Sequence, residues 1–92
     1  MIVRILGEGQ FEVDDDTAAK LAALDSELDA AVQAGEEAGF RAALDASVRL
    51  IRGSGTRVPD DTIVTADFIL PFSDATLAEV RQLLADGKIS GD

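Results

Sequence analysis

The 92-residue chain carries 18 acids against 8 bases, a net charge of −10, and contains no Cys, His, Trp or Tyr. A chain this short buries only about two-thirds of its unfolded surface, and fifteen of its residues are Ala, so one modest core of closely packed helices is expected rather than a cavity walled by aromatic rings. The charge repels phosphate backbones and anionic lipids, the absence of Cys removes thiol nucleophiles and thiolate metal sites, and no run approaches 18 apolar residues; these features predict a cytoplasmic protein with no direct nucleic-acid binding and no membrane insertion.

The chain opens MIVRILGEGQFEV, which predicts a β-hairpin over 2–6 and 10–13. A three-residue loop, Gly7-Glu8-Gly9, sets Ile5 opposite Phe11, Val3 opposite Val13 and Arg4 opposite Glu12. A two-residue loop at Glu8-Gly9 sets Ile5 against Glu12 and turns the apolar side chains to the wrong face. The longer loop is therefore expected, with Gly9 supplying the positive φ of a G1 bulge. The GEG does not read as a phosphate cradle, because Glu12 stands where a dinucleotide fingerprint needs its third Gly and Glu8 repels phosphate.

Asp14, Asp15 and Asp16 signal a helix start by capping and by negative charge at the positive end of the helix dipole. The helix is expected over 17–34, with Leu21, Leu24, Leu28, Ala31 and Val32 forming one apolar stripe and Gly35 ending it. A second helix is expected over 36–52, with Phe40, Leu44, Val48 and Ile51 on one face and Ala43, Ser47 and Leu50 beside it. The short link makes the two antiparallel neighbours. Glu37 to Arg41 and Asp45 to Arg49 are i,i+4 pairs in the favourable order, each worth roughly 0.2–0.5 kcal/mol. The word AALD occurs at 22–25 and again at 42–45, placing Leu24 and Leu44 on corresponding turns, but two copies fall short of a repeat architecture.

Gly53-Ser54-Gly55 breaks the second helix. The stretch 54–74 has the weakest pattern: Val58-Pro59-Asp60-Asp61 reads as a turn, and an extended segment over 67–70 is confined to an edge by Pro71 and expected against the opening hairpin. Thr76 and Glu79 form a capping box for a last helix over 77–86, with Leu77, Val80, Leu83 and Leu84 inward. Gly87 ends it, and Ile89 is placed for the hydrophobic contact that follows such caps.

No side chain here titrates near neutrality, so no catalytic residue, cofactor or metal ligand is assigned and the protein is read as a non-enzyme. The clusters Asp14 to Asp16 and Asp60 to Asp61 lack EF-hand spacing and are explained by capping and turn formation. The serines have no His to activate them, and Lys20 and Lys88 read as solvated. Asp25, Glu27 and Asp29 hold no base at their i+3 or i+4 positions, which makes them the candidate face for a basic partner, against the plainer reading of a solvated surface.

Four runs resemble one family: MIVRILGEGQFEV, AGFRAALDASVRLIRGSGTRVPDD, ADFILPFSDATLAEVRQLL and the terminal GKISGD. Together they resemble the PspA-associated domain, PspAA, which accompanies the phage-shock protein PspA in actinobacteria and archaea. The resemblance covers nearly the whole chain. It departs from the family pattern at Phe11, where Tyr is more usual, and at the single Pro71, where a Pro pair is common. It implies a non-enzymatic accessory of the membrane-stress response, acting beside PspA, a coiled-coil protein that assembles on damaged inner membranes.

These readings combine into a single α+β domain spanning 1–92 that binds and modulates a PspA-like coiled coil and is recruited through it to the inner membrane face. The competing expectations are a homo-oligomer that pairs through its hairpin edge and a divalent-metal hydrolase built on Asp60, Asp61 or Asp67.

Overall fold

A computed structural model describes residues 1–59 and 61–85, with Leu83 and Leu84 described by their backbone alone. In chain order the elements are β1 (Ile2–Ile5), β2 (Gly9–Glu12), α1 (Asp15–Ala34), α2 (Glu37–Ser54), β3 (Thr56–Val58), β4 (Phe68–Leu70) and α3 (Leu77–Ala85). The strands form one sheet in the order β3-β2-β1-β4. The mixed α+β architecture, with strand hairpin, helical hairpin, extended segment and final helix, follows the order read from the sequence.

The hairpin register differs from the expected one by two residues. Val3 pairs with Phe11, Arg4 with Gln10, Ile2 with Glu12 and Ile5 with Gly9. The loop is still three residues long, but it is Leu6-Gly7-Glu8, closed by the Glu8 amide donating to the Ile5 carbonyl at 2.9 Å. Gly7, at φ 83°, takes the position of a type II turn that demands positive φ, and a Cβ there would lie 2.8 Å from the Phe72 ring. Because the shift is even, every side chain keeps its face. Val3, Ile5, Phe11 and Val13 are all buried, and Val13 finds its ladder partner in Met1, whose carbonyl accepts from the Val13 amide at 2.9 Å.

Segment 54–74 supplies both edges of the sheet. The unexpected β3 pairs antiparallel with β2, setting Arg57 opposite Phe11, and its guanidinium lies 6.0 Å from the centre of that ring. The turn at this point closes from the Pro59 carbonyl to the Thr62 amide, one residue later than expected; Asp60 lies outside the described residues. The segment 68–70 does pack on the hairpin, parallel to β1. Asp67 secures it at both ends of its own residue: its amide donates to the Ile2 carbonyl at 2.8 Å, and its Oδ2 accepts from the Ile2 amide at 2.9 Å. Each edge strand is followed by a proline, Pro59 or Pro71, which cannot extend a ladder as a donor.

The helical hairpin covers one face of the sheet. Asp14 caps α1 by accepting from the Thr17 amide at 2.8 Å. At the other end Gly35 sits at φ 71°, the Glu36 amide reaches the Ala31 carbonyl and the Gly35 amide reaches the Val32 carbonyl. This is a Schellman closure, and the left-handed residue it requires is Gly35. The last turn of α1 has no base of its own, but Arg81 of α3 donates to the Val32 carbonyl through Nε at 3.3 Å and Nη2 at 2.9 Å. A cation from a different element thus meets the negative end of the α1 dipole.

Leu21, Leu28 and Val32 from α1 and Phe40, Leu44, Val48 and Ile51 from α2 form the core with β1, β2 and Leu70. Helix α2 runs on through Gly53 and Ser54 and is capped at Gly55, so it ends two residues later than expected. The expected Glu37–Arg41 and Asp45–Arg49 pairs give way to an Arg41–Asp45 contact of 3.2 Å. Arg41 is drawn from Glu37 because its guanidinium also donates to the carbonyls of Ser73 (2.6 Å) and Ala75 (3.2 Å), which fastens the loop before α3 to α2. The capping box forms as read: the Glu79 amide donates to Thr76 Oγ1 at 3.2 Å and the Thr76 amide to Glu79 Oε1 at 3.3 Å. Leu77 and Val80 are buried; the expected inward side chains of Leu83 and Leu84, the stop at Gly87 and the contact of Ile89 lie outside the described residues.

Four stability outcomes are expected. Leu44 is fully buried, so Leu44→Ala lowers the unfolding free energy by about 2–5 kcal/mol, measured by urea denaturation. Gly35→Ala loses about 1–2 kcal/mol at its left-handed position, whereas Gly53→Ala, in a helical position with nothing within 4 Å of the new Cβ, gains about 0.5–1 kcal/mol. The backbone hydrogen bond from Thr17 holds the Asp14 carboxyl below its ordinary 3.8. That stabilisation is complete above the unfolded value and is lost as pH falls through the folded one; Asp14→Ala therefore weakens the protein at neutral pH and flattens the acid limb of its stability profile.

Candidate functional site

Helices α1 and α2 pack side by side, and their sides away from the sheet leave an open groove of about 580 Å³. Its floor and walls are small: Ala30, Ala31 and Ala34 from α1, and Gly39, Ala42, Ala43 and Ala46 from α2, with Leu24 at one end. The sequence causes this directly. At 3.6 residues per turn, Ala30 lies about half a turn from Leu21, so a helix that places large residues inward at Leu21 and Leu28 places its alanines outward. Glu27 and Glu36 stand on the lining, which holds no base. The groove is thus apolar at its floor, acidic at its rim, and shaped for a convex apolar ridge flanked by cations.

The three acids singled out from the sequence do not share one face. Asp25 and Asp29 are one turn apart on the same flank of α1, and Glu27 lies roughly 160–200° around the axis from both. Glu27 is exposed on the groove, whereas Asp25 and Asp29 are half-buried. Asp29 Oδ2 accepts a hydrogen bond from Gln33 Nε2 at 3.1 Å. Spacing by two is the period of a strand, and on a helix it divides residues between opposite sides. Glu36 was missed because it sits at the start of α2, where an acid is explained by the helix dipole.

The AALD echo is not a structural equivalence either. Leu44 is fully buried, while Leu24 is half-buried at the groove. Of the other acids, Asp14 caps α1, Asp67 holds the Ile2 amide, and Asp61 is exposed beside the Pro59–Thr62 turn. Among the described residues no three His, Cys, Asp or Glu side chains are gathered as a metal site. No helix among them is long and apolar enough to cross a membrane.

The chain thus forms a small α+β structure with a groove on its helical hairpin. The family model for PspAA, the PspA-associated proteins, matches residues 1–91, and the chain belongs to this family. No curated protein and no solved structure shows a significant match to it.

Proposed function

We propose that this protein is a non-enzymatic accessory of the PspA membrane-stress response that binds PspA and modulates it. The observation that carries this reading is the family match over nearly the whole chain, since the family is defined by association with PspA. The groove supplies a place for the contact. A coiled-coil protein presents long helices, and a helix with small apolar residues on one side and Lys or Arg beside them fits a channel floored by Ala and rimmed by Glu27 and Glu36. Asp25 and Asp29 form a second acidic flank on the same helix, where Asp29 already accepts from Gln33. On this reading the protein is cytoplasmic and reaches the inner membrane face only through its partner.

Self-assembly through sheet edges is the competing reading. It is favoured by open edges at β3 and β4 and opposed by their length of three residues and the proline after each. A molar mass of one chain at high micromolar concentration removes it.

Calorimetric titration of the protein into its host's PspA is expected to give a micromolar or tighter Kd that weakens between about 0.05 M and about 0.3 M salt, as acid–base contacts are screened. Glu27→Lys combined with Glu36→Lys weakens binding at least about tenfold with the unfolding midpoint little changed, and reversal of Asp25 and Asp29 has the smaller effect. The opposite ranking moves the contact to the outer flank of α1. Absence of binding at both salt concentrations contradicts the proposal.

A further inference from the structure

The register between α1 and α2 spaces the two acids of the groove along its length. Resting on the reading that PspA docks there, we propose that the groove seats one helix of about three turns. This helix carries two Lys or Arg residues, six or eight positions apart, one on each flank of its apolar ridge.

Gly39 fixes that register. A Cβ placed on it would lie 3.5 Å from the Ala31 Cβ, so these two residues are level across the hairpin. Counting outward along antiparallel helices sets Ala46 level with Leu24, Ala43 with Glu27 and Glu36 with Ala34, and all six line the groove. At 1.5 Å per residue the channel from Leu24 to Ala34 is about 15 Å long, three helical turns. Packed helices stand about 8–10 Å apart and one helix is about 10–12 Å across, so the channel seats a single helix and not two side by side.

Glu27 stands on the α1 wall and Glu36 where α2 begins, both exposed and with no base on the lining. Their levels differ by the rise from Glu27 to Ala34, about 10.5 Å. Two bases seven residues apart on a partner helix match that rise but return to the same flank, offset by only about 20°, so both address one wall. Bases six or eight apart stand about 120° or 80° around the axis, at rises of about 9 or 12 Å. A Lys or Arg side chain spans the remaining 1.5 Å or so on its flexible stem. The spacing is the same whichever way the partner helix runs, since turning it end for end also exchanges its flanks. A second copy of this chain does not suit the groove, because its own lining would set acid against acid.

The test is a charge-swap cycle, read by calorimetry between the full chain and its host's PspA. Glu27→Lys is expected to weaken binding about tenfold, and exchanging one PspA base for Glu restores it. Glu36→Lys is restored by a second such exchange, on the same PspA helix and six or eight residues from the first. If Glu36→Lys fails to fold, Glu36→Gln replaces it, and the coupling is read as loss of its effect once that second base is removed. Restoring bases on two different helices, or on one helix at a spacing of four or seven, overturn the inference. So does the failure of every single exchange to restore binding while PspA still binds the unaltered chain; in each of these cases the assignment to PspA stands. No binding by the unaltered chain overturns both.

Discussion

The constraint on which the structure depends is the burial of β1 from several sides at once. Val3 and Ile5 are wholly inaccessible, with β2 paired along one edge of their strand, β4 along the other, and the helical hairpin over their face. A four-residue strand has little stability of its own, and two strands alone are marginal in water. Burial supplies what the short ladders cannot. It also obliges the chain to bring 68–70 back to β1 from far along the sequence, a non-local pairing that Asp67 fastens by gripping Ile2 through both its amide and its carboxylate.

The same constraint sorts the helices into two sides. Large aliphatic residues at helical spacing face the sheet, and the outer channel between α1 and α2 is lined mostly by Ala and Gly. Small outward residues let the helices approach closely and leave a channel between them. The rim of that channel is acidic because acids outnumber bases 18 to 8, and three of the bases are spent on internal fastening: Arg41, Arg52 and Arg81 each join two elements. Fold and surface character therefore share a cause, and the groove proposed to meet PspA is the outer side of the packing that closes the core.

Periodicity made much of this legible in the sequence. The stripes of α1 and α2, the Asp14 cap, the Gly35 stop and the Thr76–Glu79 box all depend on residues within a turn or two of one another, where local rules hold. What escaped was non-local. Strand β3 is only Thr-Arg-Val, and its extended form comes from pairing with β2. The hairpin register differs by two from the apolar match because apolar matching alone cannot separate registers that preserve the same faces; the choice falls to Gly7 under Phe72 and to the Met1–Val13 pairing. Helix rules pair Arg41 with Glu37, yet carbonyls more than thirty residues away hold it on the other side. The site was only partly legible: the acids of α1 stood out, but reading Asp25, Glu27 and Asp29 as one face overlooked helical rotation, and Glu36 was hidden by its position at a helix start.

The central claim is that the outer side of the α1–α2 hairpin is where this protein meets PspA, and hydrogen–deuterium exchange with and without PspA tests it most directly. The account predicts added protection in peptides from 24–46, on both helices, with the β3 and β4 edges unchanged. Protection confined to the sheet edges, or none along the helical hairpin while PspA is bound, would contradict it.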